Sequence, residues 1–176
     1  FGFVEVGTVT PLNQYGNPKP RIFRLEEDEA LINRLGFNSS GSEKVRSRII
    51  SNSPKGLFGI NIGPNKDTKN KEEDYLIGLR KFYNLADYLT INISSPNTEN
   101  LRSFHNEDEL NKLLNLIEKE KKILKTKIPI VVKISPDIKD ENINIIAELL
   151  LKHNIEAVII SNSTDRNREN LSNINK

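Results

Sequence analysis

What most restricts the fold of this chain is a regular alternation between two kinds of segment. Short runs of β-branched and aliphatic residues occupy 1–9, 57–63, 87–93, 128–134 and 155–161. Between them lie longer polar stretches whose apolar residues recur at helical spacing. The clearest is 106–125, where Leu110, Leu113, Leu114 and Ile117 form an i, i+3, i+4, i+7 stripe among lysines and glutamates. Residues 71–83 and 140–153 read the same way, the latter with Ile143, Ile146, Ala147 and Leu150 on one face, and 42–50 is a shorter helix ahead of Pro54. The acids Glu26, Glu27, Asp28 and Glu29 predict one more helix, from Glu26 through Ile32 with Gly36 as its stop, because carboxylates favour the positive end of a helix dipole. Residues 11–20, with Gly16, Pro18 and Pro20, form a loop.

Apolar strands alternating with amphipathic helices build βαβ units and a parallel sheet, so the chain is α/β. Two closures satisfy that pattern, an open doubly wound sheet or a (β/α)8 barrel. No G-x-G-x-x-G fingerprint and no phosphate-loop motif follows any strand. About five parallel strands are present, so a barrel reading makes this chain a partial (β/α)8 TIM barrel.

The length of 176 residues suits one domain. Lysines and arginines number 26 against 24 acids, a net charge of +2 without a basic stripe, which argues against a nucleic-acid partner. No apolar run nears the ~20 residues of a membrane span. The absence of cysteine excludes disulfides, zinc–thiolate sites and a cysteine nucleophile. The chain opens at Phe1 inside an apolar run without a methionine, which reads as an excised or processed segment. Residues 1–176 are expected to be the central portion of one domain, incomplete at both ends, with 165–176 a mobile polar loop.

Parallel α/β folds bind ligands at the carboxyl ends of their strands. Here those ends carry Thr8, Asn61, Asn92 followed by Ser94 and Ser95, Lys133, and Ser161, Asn162 and Ser163. Amide side chains both donate and accept hydrogen bonds, so they suit planar heterocycles with mixed edges. Lys133 sits in an apolar strand with no acid beside it in sequence, and a buried ammonium needs an anionic partner. A flavin, whose reduced ring carries negative charge, is one candidate. A lone strand asparagine is usually a turn or edge residue, and a strand lysine more often snorkels to the surface. Their recurrence at successive strand ends favours a site. His105, in a polar loop, and His153, at a helix end, stand apart from it.

Six stretches carry a family resemblance: Phe3-Val-Glu-Val-Gly-Thr-Val-Thr-Pro11, Gly16-Asn-Pro-Lys-Pro-Arg-Ile-Phe-Arg-Leu25, Ile32-Asn-Arg-Leu-Gly-Phe-Asn38, Ile91-Asn-Ile-Ser-Ser-Pro-Asn-Thr98, Val132-Lys-Ile-Ser-Pro-Asp137 and Ile160-Ser-Asn-Ser-Thr164. In this order they closely resemble the class 2, quinone-dependent dihydroorotate dehydrogenases. The resemblance implies an FMN-binding (β/α)8 barrel that oxidises dihydroorotate to orotate in pyrimidine biosynthesis. It implies that Ser95 is the catalytic base taking the C5 proton while a hydride leaves C6. Asn33, Arg34, Leu35, Gly36 and Phe37 match the substrate-binding stretch, Asn92 a residue touching flavin and substrate, and Asn97, Asn162 and Ser163 substrate ligands. Thr8, Asn61, Lys133 and Ser161 match flavin contacts, and 95–102 matches a lid over the substrate.

Three departures stand out. Glu99 and Asn100 replace the family's Pro-Gly ahead of Leu101 and Arg102, Ser161 and Ser163 stand for threonines, and Pro64 stands for a lysine. The resemblance also implies parts not found in these residues: an amino-terminal helical region meeting quinone and membrane, a first barrel strand, and the strands holding the FMN phosphate. Peripheral attachment to a bacterial inner membrane (cytoplasmic face) or the mitochondrial inner membrane follows from it. So does the expectation that these residues alone do not retain FMN and need the remaining polypeptide. A dihydropyrimidine dehydrogenase-type flavin barrel is an alternative that Ser95 argues against, since a cysteine is expected there. A barrel fragment serving as a binding module is the other.

Overall fold

The computed structural model describes residues 2–97, 101–166 and 168–172. Five strands, β1 (Phe3–Val9), β4 (Leu57–Ile62), β5 (Tyr88–Asn92), β6 (Ile130–Ile134) and β7 (Ala157–Ile160), form a parallel sheet in the order β1-β4-β5-β6-β7. Four helices connect or flank them: α1 (Ser42–Ser51), α2 (Lys71–Phe82), α3 (Glu107–Ile123) and α4 (Asp140–Lys152). Each strand pairs with the next in sequence among these five, as expected where right-handed crossovers feed a twisted sheet or barrel wall.

The two faces of the sheet differ in chemistry. Ile60, Ile62, Leu89, Ile91, Ile130 and Val132 belong to the core with Leu76, Leu79 and Phe82 of α2 and Leu110, Leu113, Leu114 and Ile117 of α3. The alternate residues Asn61, Thr90, Asn92 and Lys133 fall on the other face, with Asn61 opposite Thr90 and Asn92 opposite Lys133. Asn70 caps α2 by accepting from the Glu73 amide at 3.0 Å. Arg80 of α2 makes a two-pronged contact with Glu120 of α3, both bonds 2.8 Å, and so fixes the helices against each other.

Two expectations are corrected. The segment from Glu26 through Ile32 is not a helix. Strands β2 (Ile22–Leu25) and β3 (Ala30–Asn33) form a separate antiparallel hairpin, and the acids make a 3-10 turn, Glu26–Asp28, closed by Glu29 in the left-handed conformation (φ 47°). Leu25 is fully buried, so burial of the hairpin outweighs the helix-start signal of the acids. In α4 the buried residues are Ile146 and Leu149, while Ile143 is 50% exposed. The helix packs on α3, which turns its interior face one position away from the expected stripe.

His105, expected in a polar loop, is instead interior. It ends a 3-10 turn, Leu101–His105, in which Leu101 and Phe104 are also buried. Phe104 meets Tyr75 edge to face at 5.8 Å. His105 is 7% exposed and its Nε2 has no hydrogen-bond partner among the described residues. Burial, helped by the Arg102 charge, pushes its pKa from 6.5 down to about 4. The unfolded chain therefore binds the proton first, and folding stability is lost as pH falls from about 6.5 through about 4. Over that window the loss is expected to be on the order of 2 kcal/mol. Denaturant titrations from pH 7 to 4 should show this slope, and His105→Leu should flatten it; an unchanged slope in the variant would count against the buried neutral imidazole.

Candidate active site

Because the five strands are parallel, their carboxyl ends lie along one edge of the sheet. A chain of hydrogen bonds runs beneath that edge. Ser94 Oγ donates to Asn92 Oδ1 at 2.8 Å, and Asn92 Nδ2 donates to Thr8 Oγ1 at 2.8 Å. Thr8 Oγ1 donates in turn to Asn61 Oδ1 at 2.8 Å, and Asn61 Nδ2 to Glu5 Oε1 at 3.0 Å. The other Glu5 oxygen accepts from Thr90 Oγ1 at 2.7 Å. The Asn92 carbonyl is held from the helix side by the buried Tyr75 hydroxyl at 2.6 Å. Asn61, Thr90, Asn92 and Ser94 are each no more than 5% exposed. Leaving any one of them unpaired would cost roughly 1–3 kcal/mol, so the row is stable only as a set.

Above this row lies a cavity of about 280 Å³. Thr8, Asn92, Lys133, Asn162 and Ser163 line it from the strand ends, and Ser95 and Asn97 from the loop after β5. Asn33, Leu35, Gly36 and Phe37 close its other side. Eleven of the fourteen residues proposed from sequence thus meet at one cavity. The other three do not line it. Asn61 is spent within the buried row, and Ser161 Oγ donates to the Asn162 carbonyl at 3.1 Å. Arg34 donates twice to the Pro20 carbonyl, at 3.1 and 2.9 Å, and its guanidinium stands 5.6 Å from the Phe23 ring centre. Larger hollows of about 730 and 420 Å³ lie at 11–15 with 38–44, next to the cavity through the shared Asn38, and between the ends of α3 and α4 at the amino end of β6; neither includes Asn92, Ser95 or Lys133.

Several supporting residues escaped the sequence reading. Gln14, in what read as a turn-rich loop, donates from Nε2 to the Gly36 and Phe37 carbonyls at 3.2 and 2.9 Å, while its Oε1 accepts from Asn65 Nδ2 and the Lys66 amide. It thereby fastens the Asn33–Phe37 stretch to the loop after β4. Phe37 is held in the left-handed region (φ 52°), which a bulky side chain occupies only when its neighbours enforce it. Gly7 (φ 137°) is required by space as well, since a Cβ there would stand 2.3 Å from the Asn61 carbonyl oxygen. Glu5 and Tyr75 are anchors that only spatial proximity reveals.

The donor set suits a planar, electron-accepting heterocycle. Lys133 lines the cavity, and among the described residues no carboxylate pairs with it. Hydroxyls and amides surround it, and Ser95, 4% exposed, accepts from the Asn97 amide at 3.2 Å.

A family profile described as dihydroorotate dehydrogenase matches residues 1–175. The chain belongs to the dihydroorotate dehydrogenase family. It is 49% identical to a Bartonella tribocorum protein named dihydroorotate dehydrogenase (quinone), over 98% of this chain and 49% of that protein. A Nitrosomonas europaea protein of the same name is also 49% identical, over 93% of this chain and 50% of the relative. A crystal structure of dihydroorotate dehydrogenase from Eimeria tenella in complex with ferulenol superposes with a TM-score of 0.93 at 39% identity, covering 99% of this chain and 54% of that one. The chain therefore spans about half the length of the curated relatives it matches. The five-stranded sheet is accordingly part of a dihydroorotate dehydrogenase TIM barrel.

Replacing Glu5 with Gln tests the buried row of this family member. The substitution exchanges one acceptor oxygen for a donor that faces either Asn61 Nδ2 or Thr90 Oγ1. Denaturant unfolding should register a loss of about 1–3 kcal/mol, whereas a neutral effect would mean that the row is not anchored at Glu5.

Proposed function

We propose that the protein to which this chain contributes oxidises dihydroorotate to orotate with FMN, as a step of pyrimidine biosynthesis, and passes the electrons to a quinone. The observation that carries this is the convergence of Ser95, Asn92, Lys133 and Asn162 on one cavity. FMN, when bound, supplies the acceptor for the hydride leaving C6. Asn92 and Lys133 would hold it together with Thr8, itself a link of the row; Asn61 and Ser161 support their neighbours rather than line the cavity.

On the substrate side, Asn33, Asn97, Asn162 and Ser163 offer amides and a hydroxyl to the pyrimidine edge, and Leu35, Gly36 and Phe37 wall the cavity, with Arg34 bracing that wall from outside. Ser95 Oγ takes the C5 proton as the C5–C6 double bond forms. A serine hydroxyl is a weak base, so its surroundings must activate it. Near-complete burial of Ser95 contributes by excluding water and fixing the angle of attack. Residues 98–100 of the expected lid lie outside the described residues.

The quinone as electron acceptor is drawn from the relatives' name; quinones are lipid-soluble, and peripheral attachment to an inner membrane is the reading we attach to that acceptor. No helix among the described residues is long and apolar enough to cross a membrane.

Stopped-flow reduction of the FMN holoenzyme by dihydroorotate tests the reading. Ser95→Ala should slow flavin reduction by about 10²–10⁴-fold while FMN remains bound. Reduction at the unaltered rate would remove Ser95 from its role, and no reduction of the unaltered holoenzyme would remove the substrate.

A further inference from the structure

We infer that Arg102 is a positioning residue, tying together the loops that follow β5, β6 and β7 and so fixing Ser95, Asn162 and Ser163 relative to one another at the cavity. Its kinetic consequence rests on the dihydroorotate reading above; the tie itself rests on geometry alone.

One guanidinium addresses all three loops. Arg102 Nε donates to the Ser94 carbonyl at 3.4 Å, in the loop after β5. A terminal nitrogen donates to Asp137 Oδ2 at 3.1 Å, in the loop after β6. The other donates to both Asp165 oxygens at 3.1 and 3.2 Å, in the loop after β7. The flat, five-donor fork of arginine suits this three-way contact, and a lysine ammonium can satisfy only part of it.

Asp137 is the fixed point. Its side chain is 4% exposed and also accepts from Thr164 Oγ1 at 2.6 Å and the Asp165 amide at 3.1 Å. Its own amide donates to Ser135 Oγ at 3.1 Å. These bonds to the charged form, with the Arg102 charge, outweigh burial and hold the carboxyl down at about 2. Asp137 and Asp165 both face the Arg102 guanidinium, and among the described residues Arg102 is the cation that pairs with each. Without it the Asp165 side chain and the Ser94 carbonyl lose the tether that links them to Asp137, and the loops after β6 and β7 stay joined through the bonds of the Thr164 hydroxyl and the Asp165 amide to Asp137.

The tie lies close to the cavity in sequence. Ser94 directly precedes Ser95, while Thr164 and Asp165 directly follow Ser163. A shift in the fork is therefore transmitted through one or two residues to Ser95 on one loop and Ser163 on another, both of which line the cavity. Arg102 itself is not among the lining residues, so it acts through them.

The test uses the FMN holoenzyme with Arg102→Gln, Arg102→Lys and, as a milder change at a half-exposed position, Asp165→Asn. Single-turnover flavin reduction by dihydroorotate should fall about 10²-fold in the glutamine variant, the scale of a roughly 1 Å misplacement. The lysine variant should recover part of that loss, and Asp165→Asn should show a smaller one in the same direction. Hydrogen exchange should quicken together at Ser94–Asn97 and at Asn162–Asp165 in Arg102→Gln. Faster exchange confined to one of the two segments would overturn the inference, as would an unaltered reduction rate. If unaltered holoenzyme is not reduced by dihydroorotate, the functional reading fails, and the exchange result alone decides whether the tie exists.

Discussion

A row of polar groups, buried at Asn61, Asn92 and Ser94 and half-buried at Glu5 and Thr8, sets the terms for this molecule. Glu5, Asn61, Thr8, Asn92 and Ser94 satisfy one another in turn, each donor finding its acceptor within the row, and Asn92 reaches past β4 to Thr8 of β1. Such a row exists only in one register. Moving β5 by one residue against β4 would turn Asn92 toward the helices and bring Ile91 to the cavity side. The row therefore selects the strand pairing as firmly as the leucines and isoleucines beneath it. It also explains Gly7, whose missing side chain lets β1 lie against the Asn61 carbonyl.

The site above the row is built from supports of different stiffness. Asn92 and Lys133 belong to strands with neighbours on both sides, and Tyr75 pins the Asn92 carbonyl from α2. Ser95, Asn162 and Ser163 stand on loops, where precision has to come from side-chain bonding rather than from a ladder. Gln14 does this for the Asn33–Phe37 stretch, and Arg102 with Asp137 does it for the loops on the opposite side. Both devices place one multidentate side chain between backbones that are distant in sequence.

That difference also explains what was legible in the sequence. The five parallel strands and the α3 stripe were readable because each rests on local periodicity and β-branched runs. Asn92, Lys133 and Asn162 could be grouped because strand ends in a parallel sheet converge whatever the details of packing. Glu5 was passed over as an ordinary strand residue, since its partner Thr90 lies 85 residues away. The β2–β3 hairpin was misread because its strands are four residues each, too short for alternation to speak against an acidic helix start. The interior face of α4 was shifted because the position of α3, not the helix's own pattern, decides which residues are covered.

The hairpin has a thermodynamic consequence. β2 and β3 pair only with each other, apart from the main sheet, yet β3 ends at Asn33 on the cavity wall. A two-stranded unit outside the main sheet, joined to it by side-chain ties such as Gln14, is expected to open at lower free energy than the five-stranded sheet. A molecule seated between them bonds to both and adds its own affinity to the docking of the hairpin. Ligand occupancy then acts as mortar: it raises the local stability of residues 22–37 far more than that of the sheet beneath.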